Sequence, residues 1–245
     1  MIQPLDHYCL QATLLDTPER GTLRVLENGA LRVEGGKIVE RTASPPEQTD
    51  LPVLDLRPFW VIPGLMDLHT HPPQSRVRGR AGLGLLEWLQ TYVFPEEQRF
   101  EDEGYARARF REVFREALRA GTTFLVGFMT VHVPALQVAL EEAEAAGIRV
   151  LLGLTLMDDA PGSGLEQDPE AQLRTLDPLI PAWHGREDRF FLSLAPRFAL
   201  ACTEACMRRA AEFARSHGLW IQTHLSETLP EVREALRRFP WAHTY

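Results

Sequence analysis

The chain has 245 residues, a length that suits one or two domains, and its formal charge of -8 with no basic run argues against a nucleic-acid surface. No apolar run approaches the ~20 residues that a membrane span needs. No basic segment followed by an apolar stretch opens the N-terminus, so the expectation is a cytoplasmic protein with no membrane partner.

The first 62 residues read as short β segments. Alternation in GTLRVLENGALRVEGGKIVE, with one turn at Asn28-Gly29 and another at Gly35-Gly36, predicts antiparallel hairpins. ASPPEQTDLP, residues 43–52, reads as a loop, and VLDLRPFWVIPGL returns to strand. A small antiparallel β domain is expected over 1–62, and a second domain over 63–245.

Beyond Val61 the pattern changes. WVIPGLMDLH reads as one apolar strand, and EDEGYARARFREVFREALRAG as an amphipathic helix closed by Gly121. TTFLVGFMTV is a strand, VPALQVALEEAEAAG a helix closed by Gly147, and IRVLLGLTL a strand. DPEAQLRTLDPLIPAW is helical for part of its length, and RFFLSLAP is a strand. TEACMRRAAEFARSHG is a helix from Thr203 to Gly218, LWIQTHLS a strand and LPEVREALRRF a helix. Five apolar strands alternating with helices predict an α/β fold with a parallel sheet covered on both faces. Three cysteines, Cys9, Cys202 and Cys206, form no disulfide framework. The last two share a helical face and read as half-buried small apolar residues rather than metal ligands.

The stretch MDLHTH places His69 and His71 two residues apart. On a strand, both project to the same side, like half of a metal site. In a (β/α) barrel, chemistry gathers at the C-terminal strand ends. There stand Arg197 and Phe198 after the fourth strand, His224 at the end of the fifth with Glu227 three residues on, and Gln74 three residues past His71. Three neutral imidazoles can hold zinc with a position open to water. Zinc lowers the pKa of that water toward ~7, and a carboxylate at Glu227 could carry the proton to a leaving amine. Each residue also has a plainer reading: Arg197 paired with a helix carboxylate, Gln74 solvated, His224 in the core or a loop, Glu227 a capping-box partner for the last helix. The case rests on their joint placement.

With these residues in view, VIPGLMDLHTHPPQ resembles the metal-binding opening of the amidohydrolase superfamily. LLEWLQTYVFPEEQRF, LAPRFALACTEACM and IQTHLSETLPEV are similar to the corresponding stretches of its guanine deaminases, from about residue 10 to the end. The resemblance implies that 1–62 is the N-terminal part of a small β-sandwich-like domain and that 63–245 is an incomplete (β/α)8 TIM-type barrel, about five of eight units. It implies a one-zinc aminohydrolase that converts guanine and water to xanthine and ammonia. His69, His71 and His224 would be metal ligands and Glu227 the proton carrier. Gln74, Arg197 and Phe198 would hold the purine, and Trp88 would wall the pocket or else serve as a core or dimer-contact residue. Guanine offers a carbonyl for an arginine fork, amide edges for a glutamine and a flat face for an aromatic.

The chain departs from the family beyond the fifth strand. There the family carries a histidine ending the sixth strand and an aspartate ending the eighth, but no aspartate follows His224 and the chain continues only to Tyr245. His243, after a proline-broken helix end, is the one histidine left. The expectation is a truncated member, inactive or incomplete alone, from a frameshifted gene, a split gene or a fragment. Homodimerisation is expected of the full-length family, and a separate C-terminal half is a candidate partner. The alternatives are a related hydrolase acting on another heteroaromatic amine or halide, and a non-catalytic fragment.

Overall fold

A computed structural model describes residues 6–44 and 49–245, so part of the loop expected over 43–52 lies outside the described residues. The chain forms two compact units, Met1–Gly64 and Leu65–Tyr245.

The first unit is a four-stranded sheet of β1 (His7–Glu19), β2 (Thr22–Glu34), β3 (Lys37–Thr42) and β4 (Val53–Val61) in the order β3-β2-β1-β4. Antiparallel pairing joins β1 to β2 and β2 to β3, while β4 runs parallel to β1. Gly35-Gly36 makes the predicted turn, with both residues at positive φ. Asn28-Gly29 does not turn. It lies inside β2, opposite a register shift between Ala12 and Leu14 of β1. A Cβ on Gly29 would come within 2.9 Å of the Leu14 and Leu26 side chains, so glycine lets two strands close at a bulge. The chain reverses instead at Arg20-Gly21.

The run WVIPGLMDLH is not one strand. Trp60 and Val61 pair with Thr13 and Leu14 of β1, and the ladder stops before Pro63, which has no N–H to donate. A new strand, β5 (Leu65–Thr70), then opens the second sheet.

That sheet holds β5, β6 (Thr122–Phe128), β7 (Arg149–Leu156), β8 (Phe190–Pro196) and β9 (Trp220–Ile221), all parallel and in chain order. It is an open, curled sheet, five units of an incomplete TIM-type barrel. Its helices are α1 (Leu85–Trp88), α2 (Phe94–Gln98), α3 (Glu103–Arg119), α4 (Val133–Ala146), α5 (Pro169–Leu176), α6 (Leu179–Trp183), α7 (Glu204–His217) and α8 (Leu229–Arg238). Ala106, Phe110 and Phe114 of α3 recur at helical spacing and are fully buried. They join Leu136 and Leu140 of α4, and Leu152, Leu154, Leu192 and Leu194 of the central strands, in one core. Helix ends follow local chemistry: Thr203 caps α7 by accepting from the Cys206 N–H, and Gly147 and Gly218 end α4 and α7 in the left-handed region.

The strand expected over 219–226 is only two residues long. Pro196 offers β8 no N–H there, and the chain beyond Ile221 follows β8 through single bonds, such as Gln222 N–H to the Leu194 carbonyl at 3.0 Å. Among the described residues no helix is long and apolar enough to cross a membrane.

The concave face is built for close approach. Gln222 Nε2 reaches from the β9 side to Ser193 Oγ at 2.8 Å and to the Gly127 carbonyl of β6 at 3.3 Å, passing over Gly153 of β7. A Cβ on Gly153 would stand 2.9 Å from Ser193 Oγ and closer still to the Gln222 amide. Gly153→Ala is therefore expected to displace Gln222 and to destabilise the chain by about 1–3 kcal/mol, read as a lower denaturant midpoint at unchanged slope. An unchanged midpoint would show that the curl does not depend on this contact.

Candidate functional site

His69 lies in β5 and His71 immediately follows it, with ring centroids 5.3 Å apart. His224 lies just past β9, the opposite edge strand. Even so, its Nε2 comes within 3.1 Å of His71 Nε2, and its ring centroid lies 5.1 Å from that of His69. One nitrogen from each of the three rings falls within 4.8 Å of the others. Phe128, at the end of β6, stacks on the His71 ring at 4.9 Å and packs against His224 at 4.2 Å. The sequence reading missed Phe128, whose only signal was its place at a strand end.

The donor chemistry suits a divalent transition metal. Burial, together with His224, Arg197 and His69 nearby, pulls the His71 pKa down to about 2, so its ring is neutral and able to ligate. Burial also lowers the His224 pKa. His224 Nδ1 faces the Arg197 carbonyl at 3.1 Å, and that acceptor places the ring proton on Nδ1 and leaves Nε2 as the donor atom.

One cavity is lined by His71 and His224 together with Gln74, Trp88, Arg197, Phe198 and Glu227; Leu85 and Leu89 complete its wall. His69 belongs to the nitrogen cluster but not to this wall. Trp88 is half-buried and donates its indole N–H to the Arg80 carbonyl at 2.9 Å, and Phe198 is buried. A larger groove, about 490 Å³, lies within the first unit, but its charged lining residues Asp16, Arg24 and Arg41 are spent on one another.

Glu227 is exposed at this cavity, and it is not the capping residue. Glu231 closes the capping box of α8 with Thr228, and its carboxylate also accepts the Glu227 backbone N–H at 2.8 Å. Partial burial and the Glu231 charge raise the Glu227 pKa above its ordinary value, against His69 and Arg197, which lower it.

Arg197 does pair with a helix carboxylate. Its Nη1 and Nη2 donate to the two oxygens of Glu97 on α2 at 2.6 and 3.1 Å, with both side chains buried. Gln74 is not solvated: its Nε2 donates to Glu97 Oε1 at 2.9 Å and lies 3.1 Å from His71 Nδ1. Glu97 was unforeseen, because a glutamate in a helical stretch ordinarily faces water.

Cys202 and Cys206 are fully rather than half buried. With Asp158 they form a second group whose ligand atoms lie within 4.8 Å and could hold a metal ion. Each has local work already: Asp158 accepts from the Thr203 N–H and hydroxyl at 2.7 and 2.6 Å, and Cys202 Sγ donates to the Leu156 carbonyl at 3.1 Å. His243 is exposed and outside both groups.

Comparison with known proteins bears on the interpretation of this arrangement. The family model for the amidohydrolase family matches residues 60–245. Guanine deaminase of Escherichia coli (strain K12) is 31% identical over 233 residues, 92% of this chain and 53% of that protein. A probable guanine deaminase of Deinococcus radiodurans is 32% identical over 96% of this chain and 56% of its own length. The crystal structure of guanine deaminase from C. acetobutylicum with guanine bound in its active site aligns with a TM-score of 0.91 and 25% identity, over 98% of this chain and 57% of that one. The chain thus spans about half the length of the curated relatives it matches. A histidine pair at the end of the first sheet strand, a third histidine after the fifth and a family match across the whole second unit agree: the chain belongs to the amidohydrolase family.

Proposed function

We propose that this chain carries the zinc-binding and purine-binding side of a guanine-deaminase-type aminohydrolase site, for hydrolysis of guanine to xanthine and ammonia. The reading takes residues 1–62 as part of a small β-sandwich-like domain and 63–245 as part of the barrel. The observation that carries it is the 3.1 Å approach of His71 Nε2 to His224 Nε2 in a cavity that Gln74, Arg197, Phe198 and Glu227 also line.

His69, His71 and His224 would hold the metal through neutral nitrogens. Zinc, when bound, makes hydroxide available near neutral pH. Glu227, with its raised pKa, takes the proton of the attacking water and returns it to the exocyclic amine as the carbon–nitrogen bond breaks and ammonia departs. Arg197 and Gln74 turn N–H donors toward a neutral ring's carbonyl and amide edge, while Phe198 and Trp88 offer flat apolar faces. The edge strands leave Met66, Leu68 and Trp220 more than half exposed, which supports a separate polypeptide bearing further barrel strands as the partner class, alongside a homodimer of the assembled protein.

The purified chain is expected to hold about one zinc through dialysis, measured by elemental analysis, in keeping with a single three-histidine site. His71→Ala or His224→Ala should abolish retention, and unchanged zinc in both variants would show that the metal is held elsewhere.

Calorimetry with guanine and an absorbance assay for xanthine test the purine reading. Guanine should bind the zinc-loaded chain. Glu227→Gln should keep that affinity while slowing any xanthine formation, by the chain or its complemented assembly, by about 10²–10⁴-fold. Arg197→Ala should weaken guanine binding at least about tenfold, the scale of a lost charge-assisted hydrogen bond. Unchanged guanine affinity in Arg197→Ala would favour a different heteroaromatic amine or halide.

A further inference from the structure

Every cation at the back of the cavity is already matched. The Glu97 side chain is 2% exposed and that of Arg197 7%, so two opposite charges sit out of water against each other. The contact is a fork on a fork: Nη1 to Oε2 at 2.6 Å and Nη2 to Oε1 at 3.1 Å, a geometry that fixes the guanidinium plane. The same Oε1 accepts from Gln74 Nε2 at 2.9 Å. The ring of Phe94 lies 5.0 Å from the guanidinium carbon and limits its tilt. The neighbouring carboxylate, Glu96, is engaged with Arg99 and Tyr105 and cannot substitute.

We infer that Glu97 is a positioning and selectivity residue. It holds the two cavity-lining side chains Arg197 and Gln74 in one orientation, and it cancels the guanidinium charge so that the cavity takes an uncharged heteroaromatic ring and rejects an anionic one. The inference rests on the purine reading above. Two physical points carry it. A guanidinium has five N–H donors, and Glu97 consumes one from each amino group, so the direction of the remaining donors follows from where Glu97 sits. An unpaired buried arginine would be an anion anchor added to that of the metal, whereas here Glu97 cancels the Arg197 charge from behind and the wall itself carries the Glu227 carboxylate. The arrangement also suits turnover. Replacing an amino group by an oxo group makes the ring more acidic, so the product is the more anionic of the two and the less well held.

The test titrates the zinc-loaded full chain at neutral pH with guanine and with urate, an oxopurine of similar size that is a monoanion there. The wild type should bind guanine and reject urate. Glu97→Gln keeps the shape of the side chain and removes its charge. It should lower the guanine-to-urate affinity ratio by roughly a hundredfold, the scale of uncovering a buried charge. Glu97→Asp keeps the charge but falls one methylene short. It should weaken guanine by about tenfold through loosened positioning while urate stays excluded, a split that loss of fold does not produce. In parallel, the guanidinium N–H signals of Arg197, followed by nitrogen-15 NMR, should exchange slowly in the wild type and rapidly in both variants. A Glu97→Gln ratio within twofold of wild type would overturn the selectivity claim, and unchanged Arg197 exchange in both variants would overturn the clamp. If the wild type takes neither purine, the purine reading fails and the selectivity claim with it, while loss of slow exchange in the variants still supports the clamp.

Discussion

Two imidazole nitrogens 3.1 Å apart, one from just past each edge strand of a five-stranded sheet, set the terms for the rest of the second unit. With strands ~4.8 Å apart, a flat sheet would hold its edge strands about 19 Å from one another. Only pronounced curl can bring His71 and His224 together. That curl needs a concave face of small or mutually bonded groups, which Gly153, Ser193 and Gln222 supply. It also needs a convex face thick with apolar side chains, which the leucines of β7 and β8 and the phenylalanines of α3 supply. The histidine cluster is thus a readout of sheet curvature as much as of its own residues.

The cavity beside the cluster is organised by one carboxylate. Through Glu97, the side chains of Arg197 and Gln74 share a fixed reference. Through the Arg197 carbonyl and the Gln74 amide, the same set touches His224 and His71. The groups proposed to ligate the metal and to bind the ring therefore stand in direct polar contact rather than merely side by side. A polar network of this kind, buried and mutually satisfied, holds one geometry because any partial rearrangement leaves a charge or donor unpaired.

Much of this was legible in the residues. The α4 and α7 boundaries follow from Thr203, Gly147 and Gly218, because capping is local chemistry. His71, Gln74, Trp88, Arg197, Phe198, His224 and Glu227 line one cavity, with His69 beside them, because strand ends of a curled parallel sheet converge. The misreadings arose where non-local pairing decides the outcome. Asn28-Gly29 has the composition of a turn, but the length of β1 opposite it makes it a bulge. The apolar run around Pro63 looks continuous by hydropathy, although its two halves pair in different sheets. Glu97 left no trace because nothing around FPEEQRF announces that one of its glutamates points inward toward an arginine a hundred residues away.

The capping box of α8 has a consequence for the carboxylate assigned the proton. Glu231 is wholly buried and grips the backbone N–H of Glu227 as well as that of Thr228. The main chain of Glu227 is therefore moored to the first turn of a helix, although it sits in a connecting segment. Its placement inherits the rigidity of α8, and fraying of that first turn on warming would set this carboxylate adrift while the sheet beneath stayed folded.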